Sequence, residues 1–128
     1  MQIFKTRWLA RFARHERITD ESLREAIARA ERGLIDADLG GGLIKQRVAR
    51  QGQGRSGGYR MIVAYRDKTR AVFLYAFAKN ERENIDQDEL VEFRKVGLNW
   101  LNAPPQTLAE AIEDSFLQEV DDDEEKDS

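Results

Sequence analysis

Three segments in the middle of the chain alternate with a period of two residues and follow one another through short, glycine-rich or polar links. They are residues 43–50, 59–66 and 71–79, which are rich in Val, Ile, Tyr and Phe. Strands so close in sequence pair as an antiparallel meander, because parallel pairing needs a long crossover. Both alternating sides of the third segment are apolar, which predicts a strand covered on its two faces.

Helical patterns lie on both sides of the predicted strands. Thr19 can cap a helix that ends at Gly33, and Asp86 with Glu89 three residues later forms a capping box. The apolar positions of the four predicted helices are Trp8, Leu9 and Phe12; Leu23, Ala26, Ile27 and Ala30; Leu90, Phe93, Gly97 and Trp100; and, after a start at Thr107, Leu108, Ala111 and Ile112. The three large aromatics among them, Trp8, Phe93 and Trp100, are expected in the core. We predict an α+β fold with two N-terminal helices packed on an antiparallel sheet of three to four strands, followed by C-terminal helices.

The length of 128 residues predicts one domain, over residues 1–120. Residues 121–128 are too charged to pack and are expected to be disordered. The absence of cysteine excludes disulfides and thiolate catalysis. Charges interrupt the N-terminus every few residues and no apolar run approaches the length of a membrane span, so we expect a cytoplasmic protein without a membrane partner.

The charge is divided unevenly along the sequence. Residues 41–82 contain ten lysines and arginines against two acidic residues, whereas residues 83–128 contain three against fifteen. The net charge of −3 conceals this division. It predicts a middle segment that faces a polyanion and an acidic C-terminal tail.

Lys45 and Arg47 are two residues apart on a predicted strand, so their side chains project from the same face about 7 Å apart. That spacing suits neighbouring phosphates of a nucleic acid, while Ile44 and Val48 take the other face. An exposed strand face is often charged, which explains either cation alone about as well. It explains less well the further cations in the neighbouring elements, which are Arg50, Arg55, Arg60, Lys79 and Arg82.

Two other motifs favour plainer interpretations. Residues 52–57 match G-x-G-x-x-G by letter, but a strand pattern follows where a dinucleotide site needs a helix, so no nucleotide cofactor is expected. Arg7, Arg11 and Arg14 form a stripe at helical spacing. The stripe could touch phosphates or anionic lipid, although a solvated helix face is favoured.

In this order, three segments resemble the core of RelE/HigB-type toxins of bacterial type II toxin–antitoxin systems. They are the lysine/arginine strand 43–49, the glycine-rich turn and strand 54–65, and the aromatic strand 73–82, which ends in Ala-Lys-Asn-Glu-Arg. The resemblance covers most of residues 1–102. It implies a small RNase-type fold, ribosome-dependent cleavage of messenger RNA, inhibition of translation, and a cognate antitoxin with a helix-turn-helix part.

The resemblance also implies roles for particular residues, without a metal or cofactor. Lys45 and Arg47 would bind and polarise the scissile phosphate, Arg60 and Lys79 would share in catalysis, and Glu81 is a less certain match. The expected RNA-binding residues are Arg50, Arg55, Tyr59 and Arg82. Some relatives use a tyrosine or histidines for proton transfer, whereas this chain has neither after Lys79.

Two alternatives from other functional classes remain at this point. The same basic face could belong to a module that binds RNA or the ribosome without cutting RNA. Otherwise the acidic tail could be the active feature, so that a regulatory domain uses it to mimic a polyanion.

Overall fold

The chain begins with a strand, and its helices form two pairs separated by the central strands. The computed structural model describes residues 1–50 and 54–120. In chain order the elements are β1 (Gln2–Thr6), α1 (Arg7–Glu16), α2 (Asp20–Glu31), β2 (Ala37–Gly40), β3 (Leu43–Arg50), β4 (Gly54–Arg66), β5 (Arg70–Ala78), α3 (Gln87–Asn102), α4 (Pro105–Glu113) and β6 (Leu117–Glu119).

These strands form one six-stranded mixed sheet in the order β2-β3-β4-β5-β1-β6. Neighbouring strands are antiparallel except β1 and β5, which run parallel with Gln2 beside Arg70. The predicted architecture is therefore wrong: the sheet has six strands rather than three or four, it is not purely antiparallel, and a strand precedes the N-terminal helices. The missed strands β1, β2 and β6 are short, with five, four and three residues, and Gln2–Thr6 does not alternate between polar and apolar residues.

Helices cover both faces of the sheet. On the first face α1 and α2 pack against β3, β4 and β5, and the buried residues include Leu9, Leu23 and Phe73. On the second face α3 packs against the other side chains of the same strands, among them Ile62 and Leu74, and α4 packs beside β6. This double cover accounts for the two apolar sides of β5 that the sequence shows.

The starts of three helices follow their local sequence. Thr6 caps α1, Thr19 caps α2, and Asp86 with Glu89 forms the predicted capping box of α3. The last helix begins at Pro105 rather than at Thr107, without a capping side chain. None of the helices in residues 1–50 and 54–120 is long and apolar enough to cross a membrane. The predicted disordered tail, 121–128, lies outside the described residues.

Gly97 lets α3 approach the sheet closely. A Cβ atom at this position would lie 3.0 Å from the Ala64 Cβ and 3.0 Å from the Leu43 Cδ2. Two arginines at the end of the β4–β5 hairpin hold the C-terminal end of the helix: Arg70 Nη1 donates to the carbonyls of Trp100, Leu101 and Ala103, and Arg66 donates to Leu101 and Asn102. Cations favour this end of a helix, where carbonyls lack intrahelical partners.

We expect Arg70→Met to lower the free energy of unfolding by about 2 to 4 kcal/mol, because buried carbonyls lose a charged donor. Arg70 is 8% exposed, and burial together with the nearby Arg66 charge lowers its pKa. Arg66→Met is the matched control, since Arg66 is exposed and should cost about 1 kcal/mol or less. Urea denaturation of both variants measures the difference, and equal losses would contradict this role for Arg70.

Candidate functional site

A cation face, formed by Lys45, Arg47 and Arg60, lies on the second face of the sheet at the end away from the β4–β5 turn. Arg47 of β3 lies opposite Arg60 of β4, and Arg60 lies opposite Phe77 of β5. Lys45 lies two residues before Arg47 and projects from the same face as Arg47, which is what the alternation predicts. Ile44 and Val48 pack on the first face. Like charges directly opposite each other destabilise a sheet, so this pairing needs an anion or a functional reason.

Arg60 is the least exposed of these cations. Its side chain is 8% exposed, whereas Arg47 is exposed and Lys45 is partly buried. The Nη1 atom of Arg60 is buried and has no hydrogen-bond partner among the residues that the structure describes. A buried charge without a partner is costly, and a group of this kind marks a place where a ligand can supply the missing contact.

A bulge in β5 determines which side chains join this face. Ile62 of β4 lies opposite Tyr75, but the next residue, Val63, lies opposite Phe73, so Leu74 is an extra residue. Leu74 and Tyr75 consequently both pack on the second face, and Phe77 follows them there. Without the extra residue Phe77 would point to the first face, because side chains alternate along a strand.

Side chains from α2 and the following loop fix the backbone of β3. The Arg47 amide donates to Asp36 Oδ2 over 2.5 Å, and Arg29 donates to the Arg47 carbonyl. Arg29 is 4% exposed and is itself held by Glu25 over 3.0 Å. Gln46 is buried beside it and donates to the Ala26 carbonyl over 2.9 Å. These contacts position the strand that carries Lys45 and Arg47.

The structure engages Arg82 with protein partners. Its guanidinium forms two hydrogen bonds with Glu89, of 2.5 and 3.1 Å, and its Nε donates to the Asn84 carbonyl. The same group lies 3.4 Å from the Tyr75 hydroxyl and 5.8 Å from the centroid of the Phe77 ring. Arg82 therefore ties the segment after β5 to the N-terminal turn of α3.

The other predicted site residues divide into three groups. Lys79 and Glu81 are exposed in the turn after β5, whose Glu81 amide donates to the Ala78 carbonyl. Tyr59 lies on the first face instead, 4% exposed, where its hydroxyl donates to Glu16, so the structure does not bring it together with Arg60. The side chains of Arg50 and Arg55 lie outside the described part of the chain, as do residues 51–53 of the glycine-rich link, whereas residues 54–58, predicted as part of the turn, already belong to β4.

Sequence reasoning missed the contributions of Arg29, Gln46 and Tyr75 to the site, and it predicted Glu89 as a capping residue but not as the partner of Arg82. Gln46 had a readable signal, because it shares the alternation of Ile44 and Val48 and so had to be buried with a partner. Tyr75 had none, since a bulge cannot be located from alternation alone. In residues 1–50 and 54–120 no group of three or more His, Cys, Asp or Glu side chains could hold a metal ion.

The arrangement is a cationic surface on one face of a mixed sheet, with a buried arginine at its centre, and its charge and free donor suit an anion. The family model described as the RelE toxin of the RelE/RelB toxin–antitoxin system matches residues 1–120. The match spans nearly the whole chain, so the protein belongs to this family, and the resemblance to RelE-type toxins is confirmed. The chain is thus the toxin component of a toxin–antitoxin system, with an antitoxin as partner. Comparison with curated proteins gave no match.

We expect Glu89→Gln to destabilise the protein at neutral pH, by an amount that shrinks in acid. Hydrogen bonds from Arg82 lower the pKa of Glu89 to about 2, from 4.5. A depressed pKa means that the ionised carboxylate contributes fully above about pH 4.5 and loses its contribution as the pH falls towards 2. Urea denaturation between pH 7 and pH 2 measures this convergence of variant and parent.

Glu92→Gln is the control for both the loss of stability at neutral pH and its dependence on pH. Glu92 also lies on α3, but it is exposed and 3.7 Å from Lys95, so its replacement should change little at any pH. A Glu89→Gln penalty that stays constant from pH 7 to pH 2 would contradict the assigned ion pair.

Proposed function

We propose that this toxin is a metal-independent endoribonuclease that cleaves messenger RNA on the ribosome, in the cytoplasm, and thereby inhibits translation. An antitoxin with a helix-turn-helix part neutralises it. The observation that carries the proposal is the buried guanidinium of Arg60, which lies beside a second arginine, Arg47. Its Nη1 atom has no hydrogen-bond partner among the described residues. A phosphodiester supplies the negative charge and the acceptor oxygens that this pair lacks.

Cleavage requires the RNA 2′-hydroxyl to lose its proton and attack the adjacent phosphorus. The bond from phosphorus to the 5′-oxygen then breaks, and that oxygen gains a proton. Negative charge grows on the phosphorus oxygens between these events, and fixed donors aimed at it lower the barrier. Arg60 and Arg47 suit this task, since a planar guanidinium can hold two phosphate oxygens at once.

Proton transfer falls to less conventional groups. Lys45 and Lys79 are the proposed acid and base, because an ammonium group can donate a proton and its neutral amine can accept one. Glu81 is the second candidate base, exposed in the turn that also carries Lys79. Electrostatic stabilisation by the arginines is the larger contribution in this scheme.

A non-catalytic RNA- or ribosome-binding module is the second candidate function. It is favoured by one observation: the described part of the cation face has no histidine, since the only histidine, His15, lies exposed on α1. Such a module would bind RNA with an affinity that falls steeply with salt and would leave the RNA intact.

We expect Arg60→Met to reduce messenger cleavage about a hundredfold, because one transition-state donor is lost while the buried volume is kept. Growth arrest on induced expression should disappear. Primer extension on transcripts from induced cells maps and quantifies the cuts, and purified protein reports folding and antitoxin binding, both of which should persist.

Arg66→Met serves as the matched control, because Arg66 is an arginine on the same strand at the opposite end of the sheet. It should retain growth arrest and cleavage. Full toxicity of Arg60→Met would refute the proposed site. Parent protein that arrests growth and binds RNA without any cleavage product would instead favour the non-catalytic module.

Removal of residues 121–128 tests the regulatory alternative. We expect RNA affinity and toxicity to stay within about twofold of the parent, because the cation face is built from residues before this tail. Binding isotherms at two salt concentrations and growth curves measure the effect. A tenfold gain in RNA affinity would show that the carboxylates compete with RNA for the basic face.

A further inference from the structure

Trp8 is a large aromatic residue that the fold leaves half in solvent. Its side chain is 44% exposed, although the sequence predicts a core position. It stacks on Phe12 of the same helix, with ring centroids 5.3 Å apart and planes 13° apart, and it contacts Tyr75 of β5 at 4.7 Å. The exposed indole therefore belongs to a row of rings rather than standing alone.

This row leads to the cation face. Tyr75 lies 6.2 Å from Phe77 between ring centroids, and Phe77 is the register partner of Arg60. Two ring-to-ring steps thus join the exposed indole to the strand position beside the buried guanidinium. The bulge in β5 creates this continuity, because it places both Tyr75 and Phe77 on the second face.

The surface around Trp8 carries positive charge. Arg11 follows three residues later on α1 and is exposed, so the two side chains are neighbours on the helix surface. Arg7 is committed elsewhere, since it donates to the carbonyls of Asp114 and Ser115 and lies 4.4 Å from the Phe116 ring centroid. The arginine stripe of α1 is therefore not uniform, and Arg11, next to the indole, has no hydrogen-bond or ion-pair partner within residues 1–50 and 54–120.

The packing of α1 onto the sheet explains only part of the position of Trp8. Leu9, Ala10 and Ala13 already bury the inner side of the helix, at 0%, 5% and 2% exposure. An anchor would gain from full burial, whereas Trp8 keeps a large exposed area beside a cation. Aromatic rings next to basic side chains are the combination with which proteins hold single-stranded nucleic acid, through base stacking and phosphate contacts.

We propose that Trp8 and Arg11 form a subsite for one unpaired nucleobase of the RNA strand whose phosphate lies on Arg60. The base stacks on the exposed indole and Arg11 contacts the adjacent phosphate. This inference rests on the proposed function, and it adds a second point of contact that lies on α1 rather than on the sheet. It makes the enzyme bind single-stranded RNA in preference to a duplex, whose bases are already stacked.

The two tryptophans of the chain allow a direct test, because Trp100→Phe leaves Trp8 as the only tryptophan. We expect a short single-stranded 2′-O-methyl RNA, which lacks the attacking hydroxyl, to quench the fluorescence of this variant. An oligonucleotide of the same length and charge whose residues are abasic should bind at least about tenfold more weakly and should not quench the fluorescence. Thermal denaturation checks that the variant folds.

Two further variants separate stacking from charge. Trp8→Leu should bind both oligonucleotides equally, at the affinity of the abasic one, whereas Trp8→Phe should keep part of the difference. Arg60→Met should weaken both oligonucleotides alike. Equal affinity of the parent for both, without quenching, overturns the subsite and leaves the proposed function standing. Failure of both oligonucleotides to bind the parent overturns the phosphate-binding role of the cation face and the subsite together.

Discussion

The extra residue in β5 is the constraint on which the proposed site depends. Inserting Leu74 between the residues opposite Ile62 and Val63 reverses the alternation of the strand. In the first half of β5, side chains alternate between the two helix-covered faces of the sheet, as in an ordinary central strand. In the second half, Tyr75 and Phe77 lie on the same side as the cation face. A bulge disrupts the hydrogen-bonded ladder of the sheet locally, which costs stability. Its position beside the proposed site therefore points to a functional reason for keeping it.

Stability and function compete at the opposed arginines. A purely structural design would not place Arg47 opposite Arg60 or bury a guanidinium nitrogen without an acceptor. The surroundings compensate by rigidity: Arg29 and Asp36 hold the β3 backbone, and Arg82 and Glu89 hold the segment after β5. The scaffold thereby keeps two repelling charges in place without a ligand, which in the proposed function would spare RNA binding the cost of organising them.

Local signals in the sequence predicted much of the secondary structure, whereas pairings between distant segments could not be predicted from it. The capping pair Asp86 and Glu89 is local, and so is the alternation that puts Lys45 and Arg47 on one face. The parallel pairing of β1 with β5 joins residues about seventy positions apart and leaves no mark in either segment. The shielding of Arg60 likewise results from packing that no window of residues contains. Family resemblance supplied the class of protein, because charge alone identifies a polyanion surface and not its use.

The junction between β1 and α1 has no linker at all, since Thr6 ends the strand and caps the helix that begins at Arg7. The direction of α1 is consequently set by a strand that is hydrogen-bonded on both sides, to β5 and to β6. One residue inserted there would turn the helix by about 100° and carry Trp8 away from Tyr75. Natural variation in length should therefore collect before Gln2 or after the last strand, while the spacing from β1 to Trp8 stays constant among homologues that use the same surface.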